Sequence, residues 1–294
     1  MPGMARFSVT ARDGTSIRAW TNDADGPPLL VCNGLGTNPW AWPALHDPAC
    51  GFAAATWWHR GTGGSERPAD PSRVTVRDHV DDAVALLDEL EADRALVAAW
   101  SMGVTVAAEL LMRHPDRVAG LLAVAGVPGD SFAAMLPPVP GRWRDPIAAA
   151  LARGLHAAGP ALSPVASTLG RWSVVPRAVR HSGFMLPRAH PGFTERAVRD
   201  FLQVDVRWYA RLALAARDHA PVELSEVRVP VTYLAGRWDV LTSPESVTAA
   251  ARRTPDAHVH VLPGSHFLPL ELPARVHDHL IALAGRAGVA RVAA

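Results

Sequence analysis

A serine, an aspartate and a histidine stand in this 294-residue sequence where they could share one site. Ser101 lies in Ala99-Trp100-Ser101-Met102-Gly103, between an apolar run at 94–100 and a helix-like run at 104–113. A serine with small residues two before and two after it, on a strand-to-helix junction, fits a sharp turn that lifts the hydroxyl clear of a sheet. The small residues are needed because the strand and helix backbones nearly touch there. Such a turn predicts a strained backbone at Ser101. It also presents the Met102 N–H, at a helix start, to developing negative charge.

A serine hydroxyl is a weak nucleophile unless a base takes its proton and a carboxylate orients that base. His266 and Asp239 supply these groups in the order Ser, Asp, His. Each follows a strand-like run, 229–235 before Gly236-Arg237-Trp238-Asp239 and 258–262 before Pro263-Gly264-Ser265-His266. Both are therefore expected at the sheet edge that carries Ser101. Asp130 also follows a strand-like run, at 118–125. His258 and His260 lie inside a strand, and His277 and His279 on the closing helix, so they are poorer bases.

The elements that must position these groups follow from periodicity and turn residues. Runs at 7–10 and 16–21 flank Arg12-Asp13-Gly14, a hairpin signal. The continuous apolar run 28–32 reads as a strand buried on both faces, and it ends in the Gly-rich stretch from Asn33 to Pro39. A strand at 53–58 ends in a second Gly-rich loop from His59 to Ser65. Thr75 opens a helix, with Asp78 in the capping-box position and Val80, Val84, Leu87 and Leu90 at helical spacing. Strand, loop and helix in repetition predict an α/β fold with a mostly parallel sheet covered on both faces. In such sheets, sites form at the carboxyl ends of the strands.

From 127 to 221 the pattern changes. Pro128, Pro137, Pro138, Pro140, Pro160, Pro164, Pro176, Pro187 and Pro191 break short helical pieces such as 147–156 and 201–216. We read residues 127–221 as an inserted helical cap on a core of residues 1–126 and 222–294. A cap shapes a pocket and shuts out water. The closing helix spans about 271–286, and the Ala/Val/Arg end beyond it reads as a frayed tail.

Composition narrows the function classes. Hydrophobic residues make up 49% and charged residues 19%, a globular balance. No uninterrupted apolar run reaches membrane-spanning length, and residues 1–6 lack a signal-peptide pattern, so a cytoplasmic protein is expected. A formal net charge of +1 makes no case for a nucleic-acid or membrane partner. Every basic residue is arginine, which excludes lysine Schiff-base chemistry. Cys32 and Cys50 are the only cysteines and are expected to be reduced. No Cys/His spacing fits zinc, and chemistry on a serine with its own base and acid requires neither metal nor organic cofactor, so none is expected. The partner expected is a small-molecule substrate. A monomer or homodimer is expected, with Trp143 and Trp172 of the cap as candidate contacts.

Taken together, the Ser101, Asp239 and His266 order, the Gly-rich loops and the interrupted sheet resemble the α/β-hydrolase fold superfamily, in its capped esterase and lactonase branch. The resemblance covers nearly all of the chain apart from the cap. It implies Ser101 as nucleophile, Asp239 as acid and His266 as base, with Asp130 as the rival acid, since some relatives place the acid there. It further implies an oxyanion hole from the backbone N–H groups of Leu35 and Met102, on a loop supported by Asn33 and Gly34. The Arg60-Gly61-x-Gly63-x-Ser65 loop is similar to a structural signature of the same branch. Asn33 stands where the family usually has His, Ala99 where it has Gly, and Val104 where a second Gly often follows. Trp100, Trp238 and Phe267 are the candidate pocket residues, and Arg171, Arg177 and Arg180 could meet a substrate carboxylate or phosphate. The implied activity is hydrolysis of an ester, lactone or thioester through an acyl-enzyme. Polyester depolymerase-like, carbon–carbon hydrolase, haloperoxidase or perhydrolase-like and non-catalytic ligand-binding roles remain as alternatives. A serine at 101 argues against relatives that use a carboxylate nucleophile.

Overall fold

Eight strands make one sheet in a computed structural model that describes residues 5–136 and 138–289. They are β1 (Ala5–Thr10), β2 (Ser16–Thr21), β3 (Pro28–Cys32), β4 (Ala53–Trp57), β5 (Ala95–Trp100), β6 (Val118–Val124), β7 (Val231–Gly236) and β8 (Ala257–Leu262). Their order is β1-β2-β4-β3-β5-β6-β7-β8. β1 and β2 form the antiparallel hairpin, and β2 pairs antiparallel with β4. From β4 to β8 every pairing is parallel. The central strands β5, β6 and β7 are buried along their whole length, which is why they are apolar throughout rather than alternating. The expectations for residues 1–4, Pro137 and the tail 290–294 lie outside the described residues.

The helices α1 (Val76–Glu89) and α2 (Met102–Arg113) follow β4 and β5. Thr75 and Asp78 form the capping box of α1, each side chain accepting from the other's backbone N–H. Between β6 and β7 run α3 (Ser131–Ala134), α4 (Gly141–Leu169), α5 (Val174–Arg180), α6 (Pro191–Phe201) and α7 (Val206–Arg217). The chain closes with α8 (Pro244–Arg252), α9 (Leu268–Glu271) and α10 (Pro273–Arg286). One buried cluster joins the sheet to α1, α2 and α8, and a second joins its other face to α10. Among the described residues, no helix is long and apolar enough to cross a membrane.

Two expectations about the insertion fail. Prolines do not break 147–169 into short pieces, because α4 is one helix of 29 residues containing Pro146, Pro160 and Pro164. A proline inside a helix removes one N–H and orphans the carbonyl four residues earlier. For Pro160 that carbonyl belongs to His156, and Arg207 Nε of α7 donates to it at 3.3 Å. Gly159 lets α7 in, since a Cβ there would lie 2.5 Å from Arg207 N. Ser163 Oγ then donates to the Gly159 carbonyl and accepts from Val206 N, which ties the start of α7 to the same stretch of α4. Conversely, 201–216 is not one helix. α6 ends at Phe201, and Asp205 caps α7 by accepting from Trp208 N at 2.7 Å.

Candidate active site

Ser101 occupies the β5–α2 turn with φ 57° and ψ −125°, a left-handed conformation that is strained for a side chain with a Cβ. Close approach enforces the turn. A Cβ on Gly103 would sit 2.0 Å from the Cys32 carbonyl oxygen, and one on Gly126 would sit 2.4 Å from that of Ser101. Ala99 is fully buried and its methyl group is accommodated.

Asp239 is placed by a tight turn after β7, its N–H donating to the Gly236 carbonyl at 3.2 Å. Gly236 also brings the histidine loop close, because a Cβ there would meet the Ser265 carbonyl oxygen at 2.2 Å. The result is a continuous chain of hydrogen bonds. Ser101 Oγ lies 2.9 Å from His266 Nε2, and His266 Nδ1 lies 2.9 Å from Asp239 Oδ2. Asp239 Oδ1 accepts from Leu241 N and Thr242 N, both at 2.8 Å, so both carboxylate oxygens are engaged. A carboxylate only accepts, so Nδ1 carries the proton there. The neutral ring then leaves its Nε2 lone pair for the serine hydroxyl. Asp130 is exposed at the start of α3, and among the described residues the acid bonded to His266 is Asp239.

The backbone opposite is equally ordered. Asn33 Nδ2 donates to Thr56 Oγ1 at 2.9 Å, and its Oδ1 accepts from Trp42 Nε1 at 2.9 Å. The buried amide thereby ties the loop after β3 to β4 and to a following 3₁₀ turn. Gly34 passes close to the serine, a Cβ there lying 3.2 Å from Ser101 Cβ. Leu35 and Met102 follow these two loops into the site. Among the described residues, neither of their backbone N–H groups has a hydrogen-bond partner.

Ser101 opens on two apolar chambers. One, of about 300 Å³, is lined by Trp100, Phe267, Phe184, Val198 and Phe201, among others. The other, of about 280 Å³, is lined by Met102, Phe132, Met135, Leu151 and Leu155, among others. Leu35, Ser101, Tyr209 and Leu241 border both. His266 and Tyr209 are the only titratable side chains among the described lining residues. Burial pushes the Tyr209 hydroxyl above the ordinary tyrosine value, so at neutral pH it is an O–H donor.

Of the candidate pocket residues, Phe267 and Trp100 line the first chamber, and Trp100 Nε1 also donates to the His266 carbonyl at 2.8 Å. Trp238 does not: it is 47% exposed and lines neither chamber. Its N–H is held by the Gly264 carbonyl, and the turn that buries Asp239 leaves the preceding side chain facing outward. Arg171, Arg177 and Arg180 also line neither chamber, and Arg180 bonds the Pro187 carbonyl instead. Two residues in the site carry no mark in the sequence that points to it. Tyr209 reaches the junction of the chambers from α7. Buried Glu271 accepts from Ser265 N, Ser265 Oγ and Leu186 N, clamping the histidine loop to the insertion. The only signal for either was rarity: Tyr209 is one of two tyrosines. Among the described residues, no group of three His, Cys, Asp or Glu could hold a metal ion.

Comparison with known proteins gives a consistent result. Residues 27–273 match the family model described as alpha/beta hydrolase fold. A 3-oxoadipate enol-lactonase 2 of Acinetobacter baylyi is 26% identical over 274 residues, covering 90% of this chain and 91% of the relative. A pimeloyl-[acyl-carrier protein] methyl ester esterase of Aromatoleum aromaticum is 30% identical over 239 residues, covering 79% and 88%. The crystal structure of a hydrolase from Pseudomonas aeruginosa superposes with a TM-score of 0.72 at 25% identity, over 95% of this chain and 98% of that one. With a family match over most of its length and a mostly parallel sheet bearing an insertion after β6, this chain belongs to the α/β-hydrolase fold family.

Proposed function

We propose that this protein is a serine hydrolase that cleaves a neutral carboxylic ester, lactone or thioester with an apolar group on each side of the scissile bond. The observation that carries the reading is the hydrogen-bonded Ser101–His266–Asp239 chain facing two unpartnered N–H groups between two uncharged chambers. The names of the enol-lactonase and methyl ester esterase relatives support the same bond class.

In this mechanism Ser101 Oγ attacks the carbonyl carbon as its proton passes to His266 Nε2. Asp239 stabilises the imidazolium that forms. The tetrahedral oxyanion lies against the N–H groups of Leu35 and Met102, each such donor worth about 10²–10³ in rate. Collapse expels the alcohol or thiol, which takes the proton from His266. Water then attacks the acyl-Ser101 ester as His266 takes its proton, and collapse breaks the Oγ–acyl bond, returns that proton to Ser101 Oγ and releases the acid. The Tyr209 hydroxyl offers a further donor to a second oxygen of the substrate.

The test begins with a fluorophosphonate probe and intact mass. Wild type should gain one adduct and Ser101→Ala none, with turnover of a p-nitrophenyl ester lost in step. Well-folded wild type that takes no adduct would favour a ligand-binding role instead. Burying an unpaired carboxylate is costly, so a hemiester with a free carboxylate on its acyl arm should fall about 10²-fold or more in kcat/KM below its methyl-capped analogue. Equal rates would reject the uncharged-chamber reading.

A further inference from the structure

The longest helix of the insertion turns an apolar face outward. Trp143, Ile147, Leu151, Leu155, Leu162 and Val165 of α4 are 52, 39, 59, 39, 38 and 55% exposed. At helical geometry they fall within an arc of about 120° and extend over about 33 Å. From Ile147 to Val165 no charged residue falls in that arc, and Gly154, Ala158 and Ala161 fill its gaps. Trp172 and Val174, 56 and 59% exposed, follow just beyond the helix end. An exposed apolar strip of this size marks an interaction surface.

Charge identifies the occupant. Residues 141–190 contain seven arginines and one carboxylate, Asp145, which Arg217 already holds at 2.8 Å. Among the described residues, exposed Arg142, Arg171, Arg177 and Arg188 take part in no ion pair. Arg142 lies beside the strip, its guanidinium 5.8 Å from the Trp143 ring centre. On the flank of α4, Arg153 and His156 join Arg211 of α7 around an open depression of about 260 Å³. Tryptophans and aliphatic side chains, with Arg142 beside Trp143 and Arg171 next to Trp172, match the boundary of an anionic bilayer, where apolar groups enter below the headgroups and guanidinium groups meet phosphates. A second copy of the chain fits less well, since a two-fold contact would bring together two copies of this arginine-rich, carboxylate-poor segment.

We propose that the outer face of α4 docks this protein on an anionic lipid bilayer. Leu151 and Leu155 belong both to that face and to the chamber beside Ser101, so the docked surface is continuous with the cavity. The proposal stands apart from the assignment of Ser101, because docking is read without turnover.

The experiment is co-sedimentation of the full chain with vesicles of phosphatidylcholine alone or with about a third phosphatidylglycerol. Binding is expected only with phosphatidylglycerol and should weaken as salt rises. Arg142→Gln and Arg171→Gln should each weaken it about fivefold. Leu162→Asp with Val165→Asp, on exposed sites outside both chambers, should abolish it while circular dichroism and soluble-ester hydrolysis stay as in wild type. No binding at low salt, equal binding to both vesicle types, or binding that survives the double variant would overturn the proposal. So would a dimer in light scattering that the double variant dissociates, since the face would then be a contact between copies.

Discussion

His266 is held from several directions, and each hold has a different visibility in the sequence. Asp239 orients its ring, Trp100 fixes its carbonyl, and Glu271 anchors the preceding serine. The positions of Ser101, Asp239 and His266 were legible because each carries a local mark, a turn spacing or a strand end. Glu271 and Tyr209 carry none, since their part in the site arises only when distant segments meet. The outward turn of Trp238 is not legible in the sequence for a related reason: beyond a strand end, periodicity no longer says which way a side chain points. Asp239→Asn keeps the shape but loses the acceptor that sets the histidine tautomer. We expect kcat to fall about 10⁴-fold with KM little changed, measured by steady-state ester hydrolysis. A fall of less than tenfold would mean that another acid serves His266.

Among the elements, the parallel strands and the first helices were readable because their apolar runs and caps are local signals. The course of α4 was not, because the groups that rescue Pro160 sit on α7, some fifty residues later. The loop after β3 lies between these cases. Asn33 opens this loop in the sequence, and its buried amide spans Thr56 and Trp42. Asn33→Ala would strand the Trp42 indole N–H and remove the acceptor and donor that set the loop. Leaving such a group unsatisfied costs about 1–3 kcal/mol. We therefore expect a lower melting temperature together with a loss of kcat larger than that of KM, since the Leu35 N–H rides on this loop. Melting curves and kinetics on the same preparation check it, and a variant as stable and active as wild type would show that the loop holds its course unaided.

At the scale of the whole molecule, a net charge of +1 conceals an unequal distribution, with the arginine excess concentrated in residues 141–190. A second global feature is the loop after β4. Arg60, fully buried, pairs with Asp82 of α1 and with Asp13 of the β1–β2 turn, while its carbonyl accepts from Trp208 of α7. Sheet edge, first helix and insertion therefore meet at one point. Beside it lies His59, fully buried, with Nδ1 unpartnered among the described residues and the His79 ring 4.8 Å away. His79 in turn meets Asp82, which Arg60 holds.

Burial, reinforced by His79, holds His59 well below the ordinary histidine value of 6.5. Its folded form stays neutral where the unfolded chain has begun to take up a proton. The linked stability is thus fully present above pH 6.5 and drains away as pH falls through 6.5 toward the depressed value. One proton contributes a slope of about 1.4 kcal/mol per pH unit. Carboxylates whose values are lowered in the fold, such as Asp13 and Asp145, lose their contribution only below the ordinary value of 3.8, so the two windows separate. His46 is also depressed by burial, which makes a comparison with a variant necessary. His59→Phe keeps an aromatic ring against His79 and removes the proton. Urea unfolding between pH 7.5 and 5 should show wild type losing stability more steeply than His59→Phe, by about one proton's slope. Parallel curves would mean that His59 is charged in the fold or that acid opens this loop before the molecule unfolds.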